Sequence, residues 1–363
     1  MSRLLVDGVV LRRGRVTILD WNNQPPLEIA SGELVALVGK TGAGKTALAM
    51  LIQGLDQPSE GEIRIDGIVA NRLAPQDRGV SLVMQDDSLW PQWNVARNIE
   101  FGLKCRGVPR STRRARVDEI LPVLRLDGLG ARRPDELNTL QRWRVLLARA
   151  LVLDPRLLVI DSAFDTRDEA DGSELAAELR RVHDEQKLTS VVFASGMREC
   201  VPIADRIGVM SVNGIVQMGR PSELYQRPRS RALAEWSGPI NVIPGRVESI
   251  DPRGEVVLQS SIGRLLGRCR PESMTVGSDA HALVRPEALS VGAQSGTTSN
   301  RFAATLVHRN FVGPLCHLQI IGPSEWSGAV ITLRASAATL RDGQSLSCAI
   351  APDAVFVVPA TGE

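Results

Sequence analysis

A glycine-rich stretch close to the N-terminus contains residues whose types and spacing suit phosphate chemistry. Residues 39–46 fit the pattern G-x-x-x-x-G-K-[ST], whose glycines let backbone N–H groups turn towards phosphate oxygens. Lys45 would reach the β- and γ-phosphates of a nucleotide, and the Thr46 hydroxyl would bind Mg²⁺. The candidate phosphate-binding residues are therefore Gly39, Thr41, Gly42, Ala43, Gly44, Lys45 and Thr46.

The sequence also predicts the elements that would hold this loop. The apolar run Glu33–Val38 precedes it as a strand, and an apolar helix follows from Ala47. The loop would thus lie at the positive N-terminal end of a helix, which favours anions.

Further along, short apolar runs bounded by turn residues predict strands buried on both faces, at 61–66, 80–85, 157–161 and 190–195. Helical stretches lie between them at 113–126 and 174–185, and Asn213-Gly214 predicts a hairpin turn within 206–219. Strands alternating with helices indicate an α/β domain with a largely parallel sheet, which we place at residues 1–238.

The pattern changes past Gly238-Pro239. Short alternating runs such as 255–258 and 303–307, punctuated by Gly, Pro and Ser, predict a small all-β unit of barrel type over residues 239–363. This part has no phosphate loop and no cluster of His, Cys and carboxylates, so we expect a regulatory or dimer-contacting role.

Composition narrows the possible partners. The formal net charge is only +2, which does not indicate nucleic-acid binding. No run approaches the ~20 apolar residues that cross a bilayer, so membrane contact is expected through a partner. The five cysteines are scattered without metal spacing.

Five segments after the phosphate loop occur in a recognisable order: Gln85–Ile99, Arg144–Leu151, Leu157–Asp161, Ile203–Tyr225 and Val284–Leu289. They resemble, in turn, the Q-loop, the helix after the signature, the Walker B strand, the end of the ATPase domain and the C-terminal TOBE barrel of ABC importers of sugars, polyamines and inorganic anions. The resemblance implies an α/β P-loop NTPase domain of ABC type, with a RecA-like core and a helical subdomain at about 88–155. A small all-β barrel, OB-like and of TOBE type, would follow it.

The resemblance assigns roles to individual residues and implies ATP and Mg²⁺ as cofactors. Gln85 would touch Mg²⁺ and the attacking water, and Asp161 would accept a hydrogen bond from Mg²⁺-bound water. With Thr46 these form the metal set, and Gln85 and Asp161 are the catalytic candidates. Asp168 matches the D-loop aspartate.

The resemblance also implies partners and a location. Integral-membrane permease subunits would insert a coupling helix near Gln85, and a solute-binding protein would act indirectly through them. Trp90 and Trp93 beside this surface either anchor the permease or pack within the helical subdomain. The chain would lie peripherally on the cytoplasmic face of the cytoplasmic membrane. It would pair with a second ATPase subunit, for which a non-identical chain is favoured over a second copy of this one.

Two positions depart from the catalytic pattern of the family. Ser162 stands where a glutamate polarises the attacking water, and a hydroxyl without an activating neighbour is no general base at neutral pH. Gly196 stands where the switch histidine contacts the γ-phosphate, and glycine has no side chain to do so. Both departures predict slow hydrolysis.

Two further departures concern nucleotide contacts. The signature reads Leu137, followed by Asn138, Thr139, Leu140 and Gln141, in place of L-S-G-G-Q. Leu140 should hinder close approach to the γ-phosphate of the opposite subunit, whereas Asn138 could still donate to it. Arg13 replaces the aromatic residue that stacks on adenine, and it either stacks through its guanidinium plane or faces solvent.

These observations leave two hypotheses for function. In the first, the chain couples ATP binding and hydrolysis to solute uptake. In the second, it is a non-hydrolysing structural or regulatory ATP-binding subunit that works beside a catalytically intact ATPase subunit. The damage at Ser162 and Gly196 favours the second for chemistry, whereas support of uptake is common to both.

Overall fold

The computed structural model describes residues 4–84, 89–161, 169–291, 299–333 and 340–360. The chain divides into two compact units, Met1–Pro221 and Ser222–Glu363.

The first unit alternates strands with helices. Its strands are β1 (Leu4–Arg13), β2 (Val16–Asp20), β3 (Leu27–Ile29), β4 (Leu34–Val38), β5 (Glu60–Ile65), β6 (Ile68–Val69), β7 (Val80–Met84), β8 (Leu157–Asp161), β9 (Ser190–Ala194), β10 (Arg206–Ser211) and β11 (Gly214–Gly219). Its helices are α1 (Lys45–Gln53), α2 (Val95–Cys105), α3 (Arg110–Val123), α4 (Thr139–Leu151) and α5 (Glu169–Gln186).

The central sheet has the strand order β11-β10-β4-β9-β8-β7. All neighbours are parallel except β10 and β11, which form the predicted hairpin. Its two turn residues are Val212 and Asn213, one position earlier than predicted, because Gly214 already pairs with Ser211 as the first residue of β11. Every residue of β4, β8 and β9 is buried, because the sheet is covered on both faces. The α/β prediction is confirmed.

The strand predicted at 61–66 forms, but not in the central sheet. It is β5, which pairs antiparallel with β1 in a second sheet of order β2-β1-β5-β6, with β3 also on β1. Only Ile63 and Ile65 of β5 are buried, since this sheet covers its core with one face. The expectation that this strand is buried on both faces was wrong for that reason.

Helices α2, α3 and α4 pack together in the stretch where a helical subdomain was predicted. Asn94 caps α2 by accepting from Arg97 N at 2.9 Å. The buried Asn98 amide donates to the carbonyls of Trp90 and Trp93, both at 3.2 Å, and accepts from Trp90 N at 2.8 Å. These bonds attach the segment before α2 to the helix itself.

The second unit is mainly β, as predicted. After α6 (Pro221–Gln226) and α7 (Arg231–Ser237) come β12 (Asn241–Ile250), β13 (Glu255–Ser260), β14 (Gly263–Cys269), β15 (Asp279–Val284), β16 (Leu289–Val291), β17 (Arg301–Val312), β18 (Leu315–Ile321), β19 (Ser327–Leu333), β20 (Ser345–Ile350) and β21 (Phe356–Pro359). Strands β12-β13-β14-β21-β15 close into a barrel, and β16-β20-β17-β18-β19 form a five-stranded sheet.

The two β layers of this unit share one hydrophobic core. Two buried asparagines join them by imitating backbone pairing. Asn241 exchanges two 2.7 Å hydrogen bonds with the backbone of Ala329, and Asn300 does the same with Leu266 at 2.7 and 2.8 Å. Such fully satisfied amides fix the register of the layers.

The boundary between the two compact units lies between residues 221 and 222, whereas the sequence pattern changes near residue 238. Helix α7 accounts for the difference, because Ala234 packs with Leu283, Phe356 and Val358 of the barrel. The Arg285 guanidinium donates to the carbonyls of Tyr225, Ala234, Gly238 and Pro239 at 2.8–3.1 Å. Both short helices therefore pack with the β unit.

Candidate functional site

The glycine loop lies where the sequence predicts it, between the end of β4 and the start of α1. Gly44 caps α1 with φ +86°, and a Cβ there would lie 2.4 Å from Leu19 Cδ2. A Cβ at Gly39 would lie 2.6 Å from the Met210 carbonyl. Gly42 has φ +88° and open space around it. Packing therefore requires glycine at 39 and 44, and the backbone conformation favours glycine at 42 and 44.

Lys45 closes this loop on itself. Its side chain is buried, and Nζ donates to the Gly39 carbonyl at 2.6 Å and to the Lys40 carbonyl at 3.2 Å. Thr41 and Thr46 are exposed on the same loop, whereas Ala43 is buried beneath it. An ammonium at the centre of a turn of backbone N–H groups, next to a helix N-terminus, fits a phosphate chain.

The carboxyl ends of the central strands bring Asp161 to the same edge of the sheet as this loop. Val38, the last residue of β4, pairs with Ala194 of β9, and Asp161 pairs with Phe193 of β9 and with Met84 of β7. Asp161 is 3% exposed. A buried carboxylate beside a phosphate loop suits a magnesium ion held through water. Gln85, Ser162 and Asp168 lie outside the described residues.

Gly196 lies two residues beyond β9, at this edge. Among the described residues, only Glu199 Oε2 lies within 4 Å of a Cβ built there, at 4.0 Å. His183, on α5, lies at the opposite end of β9, where its ring nitrogens pair with Ser190 Oγ at 3.0 Å and the Gly32 carbonyl at 3.3 Å. Burial lowers the pKa of His183, as for a neutral core histidine. It does not replace the switch residue.

The segment predicted as the signature forms the N-terminus of α4. Asn138 caps the helix, with Oδ1 accepting from Gln141 N at 2.8 Å while Gln141 Oε1 accepts from Asn138 N at 3.1 Å. Thr139 is exposed and Leu140 is half-buried. The cap uses the side-chain oxygen of Asn138 and does not involve its side-chain NH₂.

Arg13 is exposed at the end of β1 and forms an ion pair with Asp56 at 2.7 Å. The neighbouring Arg12 pairs with Glu60. To stack on a base, Arg13 would either leave Asp56 or keep that ion pair while the plane of its guanidinium faces the base.

Trp90 and Trp93 pack into an aromatic cluster with Phe101 of α2. The ring centroids lie 4.8 Å apart for the two tryptophans, 4.5 Å for Trp90 and Phe101, and 5.4 Å for Trp93 and Phe101. The Arg149 and Arg97 guanidiniums lie over Trp90 and Trp93, at 5.0 and 5.1 Å. The packing interpretation thus holds, while each tryptophan stays half-buried and lines a groove. The sequence alone did not single out Phe101 or Arg149 as members of this cluster.

A groove of about 810 Å³ runs between the sheet side of the first unit and its helices. Leu55, Pro75 and Met84 line one wall, and Trp90 and Cys105 line the other. Leu55 is 60% exposed, which is unusual for a large apolar side chain. Within the described parts of the chain, no helix is long and apolar enough to cross a membrane.

The chain resembles known proteins over the segment that contains the glycine loop. Residues 23–165 match the family described as ABC transporter. The chain is 38% identical over 265 residues to the sulfate/thiosulfate import ATP-binding protein CysA of Thermosynechococcus vestitus, covering 72% of this chain and 78% of that protein. It is 31% identical over 355 residues to the Fe(3+) ions import ATP-binding protein FbpC of Escherichia coli, covering 97% and 96%.

Among solved structures, a dimeric post-hydrolysis structure of the ATP-binding cassette MJ0796 matches with a TM-score of 0.51 and 25% identity. It covers 60% of this chain and 98% of that chain. The fold is therefore that of a P-loop cassette followed by a β-rich unit. The chain belongs to the importer type of ABC transporter ATP-binding subunits.

Proposed function

We propose that this chain binds ATP with Mg²⁺ and couples its binding and hydrolysis to the uptake of a solute across the cytoplasmic membrane. The observation that carries the proposal is the placement of the glycine loop, Lys45 and Asp161 at one edge of one sheet. The relatives are named as import ATP-binding proteins, which favours this function over the non-hydrolysing alternative.

The chain's own residues would bind and orient the nucleotide. Lys45 and the loop N–H groups would hold the phosphates, while Thr46, Gln85 and Asp161 would hold the metal. Bound Mg²⁺ supplies charge neutralisation on the phosphate oxygens. Phosphate recognition does not involve Ser162 or Gly196, so affinity should not depend on them.

The groove between Leu55 and Trp90 supports the proposed contact with a permease. Its walls come from the sheet side and from the helices, and Met84, the last residue of β7, lines it. A permease helix seated there would contact both the end of a strand at the nucleotide edge and α2. That position suits transmission of nucleotide binding to the membrane subunits from the cytoplasmic face.

We further propose that the subunit pairs with a second, non-identical ATPase subunit. A homodimer would set Ser162 and Gly196 opposite the altered 138–141 signature in both sites. With an intact partner, Lys45 and Asp161 of this chain would meet a regular signature in one site. The other site would combine the partner's intact catalytic residues with the Asn138-capped helix.

The test of nucleotide binding uses two lysines of the same loop. Lys45→Ala should lower the affinity for a fluorescent ATP analogue at least about tenfold, since charge-assisted bonds contribute about 1.5–3 kcal/mol. Lys40→Ala is the control, because Lys40 is exposed and only its carbonyl is seen to take part in the loop. If Lys45→Ala bound ATP as tightly as the parent, the proposal would fail.

A further inference from the structure

A second groove, of about 750 Å³, lies on the helical part of the first unit, between α2 and α3. Its floor is apolar and comes from Trp93, Phe101, Val117 and Leu121. We call it the α2–α3 groove. The residues described around it all belong to the helices and their flanking segments, whereas the groove beside Leu55 includes the sheet side.

The two grooves use different sides of α2. Arg97, Glu100 and Lys104 line the α2–α3 groove, whereas Gly102, Cys105 and Arg106 line the other. Spacings of three, four and seven residues place the first set on one helix face. Phe101 lines both grooves, so the aromatic cluster of Trp90, Trp93 and Phe101 separates them.

The rim of the α2–α3 groove is cationic. Of the described residues that line it, five are basic (Arg97, Lys104, Arg110, Arg113 and Arg114) and two are acidic (Glu100 and Asp118). Both carboxylates already have arginine partners. Arg113 pairs with Glu100 at 3.3 Å, and Arg114 lies 4.0 Å from Asp118.

Three cations of this rim therefore remain available. Arg97, Lys104 and Arg110 are exposed, and within the described parts of the chain none forms an ion pair. Arg97 lies over the Trp93 ring at 5.1 Å, a contact that leaves its positive charge unneutralised. The groove thus presents positive charge above an apolar floor.

We propose that the α2–α3 groove binds an acidic amphipathic helix from a partner protein. Carboxylates of that helix would pair with Arg97, Lys104 and Arg110, while its apolar stripe would contact Trp93 and Phe101. Arg97 and Lys104 are seven residues apart on α2, a rise of about 10.5 Å, which matches glutamates at the same spacing on an antiparallel helix.

The floor argues for a protein segment over other anions. A free phosphate would pair with the cations but leave the aromatic side chains of the floor exposed to water. The headgroups of a flat bilayer would reach the rim, but the half-buried rings lie below it. A helix with two chemically different faces uses both features, and helices commonly bind in apolar grooves in this way.

The test uses the full chain and a fluorescein-labelled helical peptide with glutamates seven residues apart beside a stripe of leucines. Replacing Arg97, Lys104 and Arg110 together by glutamine should weaken peptide binding at least tenfold. The matched control replaces Arg72, Arg116 and Lys187 by glutamine, so that both triple variants have the same net charge. These three residues are exposed and lie outside the groove lining. The control should leave binding within about twofold.

Two further arms complete the test. A peptide with serines in place of the leucines should bind at least tenfold less tightly. Lys104→Glu should weaken binding of the glutamate peptide and restore it for a peptide with lysine at the matching position. ATP-analogue binding, measured on every variant, should be unchanged, and thus reports that the first unit is folded.

Several outcomes would overturn the proposal. If both triple variants lost peptide binding equally, the net charge of the protein and not the groove would account for binding. Undiminished binding of the serine peptide would mean that the aromatic floor is not used. Groove-dependent binding of phosphatidylserine vesicles without binding of the peptide would assign the surface to a membrane instead.

Discussion

At the scale of single residues, the glycine loop is complete, whereas Ser162 and Gly196 stand where the resemblance to ABC importers implies a glutamate and a histidine. The loop is fixed by Gly39 and Gly44, whose Cβ positions are already occupied by neighbours, and by the Lys45 bonds to two carbonyls. Gly196 differs from them, because a Cβ there would meet only Glu199 Oε2 among the described residues. A side chain can therefore be added at 196 without a described clash.

This difference leads to a prediction about turnover. The unmodified chain should hydrolyse ATP slowly, because phosphoryl transfer depends on a positioned water and on stabilised charge. Ser162→Glu with Gly196→His should raise kcat by about 10²-fold or more, and by more than the two single changes combined. Phosphate release from the four proteins measures this. Turnover of the unmodified chain equal to that of an intact relative would contradict it.

At the scale of elements, Glu178 joins the helices that flank the site. This carboxylate on α5 is 6% exposed and binds Arg144 of α4 at 2.9 Å and Arg181 at 2.8 Å, and Arg181 also donates to the Val123 carbonyl at the end of α3. Burial would raise the pKa of Glu178, but the hydrogen bonds and charges of Arg181 and Arg144 outweigh it and lower the pKa.

Glu178→Gln should lower the free energy of unfolding of the first unit by about 2–3 kcal/mol, because it leaves two half-buried arginines without their carboxylate. Because the pKa of Glu178 is lower in the folded state than in the unfolded state, its ionised carboxylate stabilises the folded state fully at a pH above the unfolded-state pKa. This stabilisation is lost as the pH falls through the folded-state pKa. Denaturant unfolding at pH 7 and in acid measures both effects. Glu185→Gln is the control, because Glu185 binds the same Arg181 from a half-exposed position. Equal losses from both variants at pH 7 would contradict the prediction.

At the scale of the whole molecule, the β-rich unit includes the two short helices before it. The four carbonyls that accept from Arg285 lie within 225–239, and Arg285 also stacks on the Tyr225 ring at 3.8 Å. A buried guanidinium that loses such acceptors is costly.

We therefore predict that the site of truncation decides whether the β-rich part folds alone. Residues 222–363 should unfold cooperatively, whereas 239–363 should be less stable by about 3 kcal/mol or aggregate, because Arg285 loses acceptors and the barrel loses Ala234. Residues 1–221 should keep ATP binding. Thermal unfolding compares the stability of the two β-rich fragments, and binding of an ATP analogue checks residues 1–221. Equal stability of 222–363 and 239–363 would contradict it.

The pairing proposal is also tested at this scale. The transporter isolated from its native membrane should contain one copy of this chain and one copy of a different ATPase subunit. Intact-complex mass spectrometry gives the stoichiometry. Two copies of this chain, with no second ATPase and with normal transport, would end that proposal.

The sequence alone determined the features that depend on local chemistry. Local spacing and turn residues predict the glycine loop, its flanking strand and helix, a hairpin within 206–219 and the β-rich second unit, and the structure contains them. The order of motifs was enough to indicate the family, which the relatives confirm.

Only the tertiary structure decided features that depend on residues distant in sequence. The pairing of β5 with β1 moved a predicted buried strand to a one-sided sheet, because its partner lies about 55 residues earlier. The boundary at 221, the Arg13–Asp56 pair and the uncommitted cations of the α2–α3 groove likewise depend on which side chains meet. Local patterns fix the type of an element, whereas contacts between distant residues decide which of its faces is buried and which charges stay available for a partner.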